Sequence, residues 1–112
     1  MVRILHIDDN ENDRHLVRRE LSRVFPDLQT HEVRDQREFD LALDAGQFDL
    51  AITDYQLGWS NGLLVLNAVK GRYPDRPVVM FTGTGNEEVA VEAMKEGLDD
   101  YVVKSPRHAT GW

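Results

Sequence analysis

FDLAITDYQLGWSNGLLVLNAVKGRYPDRPVVMFT, residues 48–82, decides the fold of this chain. Its two ends, FDLAIT (48–53) and PVVMFT (77–82), are short apolar runs that read as strands buried on both faces. Between them, NGLLVLNAVKGRY (61–73) reads as a helix that must stop before Pro74. Strand, helix and strand joined by short connections make a βα unit, with parallel strands and a right-handed crossover. The stretch also holds an oddity. Asp54 directly follows the first run, at the end of a hydrophobic strand, where a carboxylate is costly to desolvate. Such an acid either starts a turn or forms one corner of a charged pocket.

The same alternation extends outward. VRILHI (2–7) reads as a strand ending in acids. NENDRHLVRRELSRVF (10–25) places Leu16, Val17, Leu21 and Val24 on one helical stripe, with Asn10 as N-cap and Pro26 closing it. QTHEV (29–33) is a weaker strand. DQREFDLALDAG (35–46) opens on a capping box, Asp35 with Glu38, and stops at Gly46. NEEVAVEAMKEG (86–97) is a helix between Asn86 and Gly97, and DYVVK (100–104) is the fifth strand. Five strands alternating with four helices give an α/β fold around one parallel sheet, with no repeat and no linker. After the fifth strand only SPRHATGW, residues 105–112, remains. No periodic helix can be built from it, so the fifth helix that such a sheet wants is expected to be missing or truncated.

Composition narrows the classes. The chain has 112 residues, enough for one domain with a single core. A net charge of −7 argues against a broad basic surface for nucleic acid. The absence of cysteine excludes disulfides, thiolate nucleophiles and Cys-based metal sites. The start, MVRILHIDD, lacks the apolar length of a signal peptide, and no apolar run is long enough to span a membrane. A cytoplasmic protein is the expectation.

In an open parallel sheet, ligands sit outside the carboxyl ends of the strands. The polar residues at those ends are Asp8 and Asp9 after the first strand, Asp54 after the third, Thr82 after the fourth and Lys104 after the fifth. Carboxylates brought together repel, and a hard divalent cation relieves them. Mg2+ takes oxygen ligands and prefers one or two carboxylates. With a metal held by Asp9 and Asp54, an Asp54 oxygen could attack phosphorus to give an aspartyl phosphate. Lys104 would balance charge on the transferred group and Thr82 would donate a hydrogen bond to it.

HIDDN with its acid pair, ITDYQLG with its acid, MFTG with its hydroxyl and DYVVK with its lysine make an ordered set that resembles the receiver domain of two-component response regulators. Gly62 matches the glycine that opens helix 3 in that family. The resemblance runs from Val2 to about Pro106, which implies a receiver domain over 1–106 and a short tail, 107–112, in place of helix 5. It implies a doubly wound, flavodoxin-like five-stranded sheet in the order 2-1-3-4-5. That order is a standard example of such folds, which include a chemotaxis receiver.

The resemblance further implies that Asp54 accepts a phosphoryl group from a histidine kinase or a histidine phosphotransfer protein. Such a phosphorelay domain catalyses only its own phosphorylation and dephosphorylation, and signals to an output partner or domain. Asp8, Asp9 and Asp54, with the backbone carbonyl of Gln56, would hold Mg2+. Thr82 and Tyr101 would form the switch, and Gln56 and Thr84 would tune the lifetime of the phosphoryl group.

Three features depart from the family. KSPRH puts Ser105 between the lysine and the proline that usually follows it through a cis bond. LGWSNG has Gly58 and Trp59 where a proline is common, so a more mobile loop with an exposed aromatic is expected. The missing helix would leave the side of helix 1 and strand 5 open, and self-association there is expected unless SPRHATGW folds back with Trp112 in the gap. Two other classes fit these residues less well. A haloacid-dehalogenase-type phosphatase needs an acid two positions after the nucleophile, where this chain has Gln56. A phosphorylation-independent module of receiver shape would lose members of the acidic set, and all are present.

Overall fold

A computed structural model describes residues 1–83 and 86–104. Its elements run β1 (Val2–Ile7), α1 (Glu11–Val24), β2 (Leu28–Val33), α2 (Gln36–Ala45), β3 (Leu50–Thr53), β4 (Gln56–Leu57), β5 (Ser60–Asn61), α3 (Gly62–Arg72), β6 (Val78–Thr82), α4 (Glu87–Lys95) and β7 (Asp100–Val103). The five long strands form one sheet in the order β2-β1-β3-β6-β7, every neighbouring pair parallel. In chain order this is the expected 2-1-3-4-5.

Local chemistry sets the helix ends. The side chains of Asn10, Asp35, Asn61 and Asn86 each accept a hydrogen bond from a backbone N–H of the first turn that follows. The Glu38 carboxylate reaches one residue further back than the expected capping box, accepting from the backbone N–H and guanidinium of Arg34, the residue before the cap. Gly46 closes α2 in the left-handed region at φ 65°. A side chain there would also meet the Tyr73 hydroxyl, 2.6 Å from where a Cβ would stand.

The sheet is covered on two faces, unequally. Helices α2, α3 and α4 bury Phe39, Ala42, Leu43, Val65, Leu66, Val69 and Ala93 against Leu5, Ile7, Ala51, Val78 and Met80. A fully buried aliphatic such as Leu66 contributes on the order of 1.5–3 kcal/mol. The other face carries α1 and a smaller cluster of Ile4, Val17 and Ile52. Beside α1 an apolar groove of about 230 Å³ is lined by Leu16, Leu21, Val79, Phe81 and Val102.

The α1 stripe differs from the expectation at one end. Val17 is buried, but Val24 is 68% exposed, because the last turn runs past the core. Arg14 takes a buried place instead. The loop after Asp54 also departs from the expectation. It is a two-residue ribbon, with Gln56 paired to Asn61 and Leu57 to Ser60, and Trp59 is half-buried with its ring 5.8 Å from that of Phe39. The tail 105–112, and with it the missing helix, Trp112 and the Lys104–Ser105 bond, lies outside the described residues. Among the described residues no helix is long and apolar enough to cross a membrane.

Candidate functional site

Each strand-end residue is held by the sheet's own ladder, continued one step. The Asp8 N–H donates to the Val33 carbonyl at 3.1 Å, that of Asp54 to the Ile7 carbonyl at 3.0 Å, and that of Lys104 to the Thr82 carbonyl at 2.7 Å. These bonds put Asp8, Asp54, Thr82 and Lys104 on one edge of the sheet.

Lys104 is the centre of the cluster. Its Nζ lies 3.2 Å from Asp8 Oδ2, 3.2 Å from Asp54 Oδ2 and 3.0 Å from Asp13 Oδ2. It also stands 5.4 Å from the Phe81 ring centre. Burial opposes the ammonium, but the charges of Asp8 and Asp54 and the bond to Asp13 outweigh it and hold Lys104 above the ordinary lysine range. Burial pushes the Asp8 carboxyl up, against the opposing pull of the Asn10 N–H and Lys104. Asp8 is buried, and Asp54 keeps 12% of its side chain exposed.

Asp9 is placed differently. Its carboxylate faces outward and accepts from the Gly58 N–H at 2.6 Å, tying the first strand end to the β4–β5 ribbon. Asp9, Asp54, Gln56, Thr82 and Asp13 line one open cavity of about 360 Å³. Carboxylate oxygens of Asp8, Asp13 and Asp54 lie within 4.8 Å of one another. Lys104 sits among these three carboxylates, and the Asp9 carboxylate on the cavity rim adds to an excess of oxygen donors that suits a hard divalent cation.

The structure therefore gathers Asp8, Asp54, Thr82 and Lys104 as expected, with Asp9 and Gln56 on the rim of the same cavity. Tyr101 sits on β7 beside Met80 of β6, half-buried against the main core. Thr84 lies outside the described residues. Two residues were missed. Asp13 reaches the cluster because α1 starts directly over the end of β1. Arg14 is buried beneath it, donating to the Asp8 carbonyl at 2.9 Å and pairing with Glu32 at 3.3 Å. The only signal for either was their place in the first turn after the acid pair.

Among the described residues, the Trp59 Nε1 and a histidine near the site are buried without a hydrogen-bond partner. His6, on the same face of β1 as Asp8, is 1% exposed, and its Nδ1 makes no hydrogen bond. Burial, with the charges of Lys104 and Arg14, lowers its pKa from 6.5 to about 4.

Comparison with known proteins fits this geometry. The chain is 33% identical over 100 residues to the response regulator protein PilR of Pseudomonas aeruginosa, covering 89% of this chain but 22% of PilR. It is 27% identical to a chemotaxis protein CheY homolog of Campylobacter jejuni, covering 92% of this chain and 81% of that protein. The response regulator TrrA of Thermotoga maritima, solved in complex with Mg2+ and BeF, superposes with a TM-score of 0.80 at 26% identity, covering 95% of this chain and 89% of TrrA. The model of the response regulator receiver domain matches residues 4–110, and the chain belongs to that family.

Proposed function

We propose that residues 1–106 act as a phosphoacceptor in a two-component pathway, with Asp54 as the acceptor. The observation that carries this reading is the convergence of Lys104 Nζ on the Asp54 and Asp8 carboxylates, 3.2 Å from each, beside the buried Thr82. A carboxylate oxygen of Asp54 bonds to phosphorus as the P–N bond of a phosphohistidine donor breaks. The imidazole leaves with that electron pair. Lys104 balances charge on the transferred group and Thr82 donates a hydrogen bond to it. Asp8, Asp9, Asp54 and the Gln56 carbonyl are the proposed holders of Mg2+, which supplies charge neutralisation when bound. Tyr101 is proposed as the residue that turns inward behind Thr82. Gln56 and Thr84, neither acid nor base, are proposed to set lifetime through water positioning.

The donor is a histidine kinase or phosphotransfer protein, met in the cytoplasm. Output passes to a partner or further domain. Transfer from a radiolabelled phosphohistidine protein tests the reading. Label should reach this chain as a hydroxylamine-labile acyl phosphate, and a chain that stays unlabelled contradicts it.

Self-association through the α1 and β7 side is a separate proposal, supported by the apolar groove between α1 and β6–β7. Sedimentation at micromolar concentration should show a dimer. A monomer with Leu16 and Leu21 protected from solvent would instead mean that residues 105–112 fill the groove.

A further inference from the structure

We propose that Asp13 is a positioning residue of the acceptor pocket: it holds Lys104 and competes with an arriving phosphoryl group for the lysine ammonium. The inference rests on Asp54 being the acceptor, and deepens that reading.

Proton counting makes the case. An ammonium has three N–H donors and no more. Asp8, Asp54 and Asp13 each lie within 3.2 Å of Lys104 Nζ. Asp8 and Asp54 each accept a hydrogen bond from it and the Asp13 carboxylate closes its third side as an ion pair at 3.0 Å, so a phosphoryl oxygen reaches the ammonium only if a carboxylate gives way. Asp8 has 1% of its side chain exposed, so release there would strand a buried charge. Asp54 keeps its carboxylate charge until it bonds to phosphorus, so it still holds the lysine while the group arrives. Asp13 has 34% of its side chain exposed and can exchange the lysine for water. It is the partner that gives way.

Position and charge act in the same direction. Asp13 sits in the first turn of α1, where its N–H donates to the Asn10 cap at 3.0 Å, so its carboxylate is presented to the pocket by a fixed turn. Its oxygen stands within 4.8 Å of those of Asp8 and Asp54, where it also repels an arriving dianion. Removing the charge at Asp13 frees a lysine donor and removes that repulsion, and both changes strengthen phosphoryl binding.

Beryllium trifluoride, a stand-in for the phosphoryl group, tests this on the full chain at saturating Mg2+. Affinity is read by tryptophan fluorescence and stability by thermal melting. Asp13→Asn, which preserves shape at a partly exposed site, should bind on the order of tenfold more tightly than the parent. Asp13→Glu, still able to reach Lys104, should return toward the parent value, which a merely structural role would not require. Equal or weaker binding by Asp13→Asn overturns the proposal. Weaker binding accompanied by lower Mg2+ affinity would make Asp13 a metal ligand instead. A parent chain that fails to bind the probe at all would sink the acceptor reading itself, a separate and recognisable failure.

Discussion

The carboxylate of Asp9 accepts a 2.6 Å hydrogen bond from the backbone N–H of Gly58, joining the end of β1 to the ribbon that follows Asp54. A cation taking an Asp9 oxygen therefore acts on both segments at once. Mg2+ should raise the melting temperature of the parent, because it relieves repulsion among Asp8, Asp9 and Asp54. Binding to the native state alone stabilises by about 2.7 kcal/mol at a hundredfold excess over Kd. Asp9→Ala should lose most of that gain in a Mg2+ titration followed by melting. A parent indifferent to Mg2+ would show that the acids do not form a metal pocket.

Gly62 lies against the acceptor from behind. A Cβ there would stand 2.8 Å from the Asp54 carbonyl oxygen and 2.8 Å from Met80 Cε. The flexible methionine can yield, but the backbone of the acceptor strand cannot do so without moving Asp54. Gly62→Ala should therefore cost about 1–3 kcal/mol in urea denaturation and slow phosphoryl uptake. Gly71, also in α3, meets nothing within 4 Å, so Gly71→Ala should be neutral or slightly stabilising. Equal behaviour of the two variants would remove the steric argument.

His6 predicts an acid-side loss of stability. Its folded pKa is about 4 against 6.5 for a free histidine. As pH falls through that window the unfolded chain binds the proton first, so stability drops from about pH 6.5 down to about 4. The loss attributable to His6 is roughly 3 kcal/mol at most. His6→Val removes both the titrating group and the unpartnered Nδ1, so its stability curve should be flatter across that window. Parallel curves for parent and variant would mean that His6 is not held neutral by burial.

Much of this was legible in the sequence because the decisive signals are local. Asn10, Asp35 and Asn86 cap the helices that their positions implied. Strand β3 lacks alternation because both its faces are covered, whereas β6, equally apolar in sequence, buries Val78, Met80 and Thr82 but leaves Val79 and Phe81 half-buried along the groove beside α1. Asp8, Asp54, Thr82 and Lys104 could be grouped because a parallel sheet sends its strand ends to one edge. What escaped depends on geometry between elements. Asp13 meets Lys104 only through the angle at which α1 leaves the sheet. Arg14 is a charged residue that burial suits only because the Asp8 carbonyl and Glu32 receive it. Trp59 is sheltered by Phe39, twenty positions earlier, which no local pattern reveals. The β4–β5 ribbon has two residues per strand, too few to show a period.

The acceptor assignment is tested most directly by intact-mass measurement after incubation with a small-molecule phosphodonor and Mg2+. The parent should gain the mass of one phosphoryl group, lost again on treatment with hydroxylamine. Asp54→Asn should gain none while melting cooperatively, since the side chain stands at a strand end outside the core. A variant that still takes up a phosphoryl group at parental stoichiometry would contradict Asp54 as the acceptor.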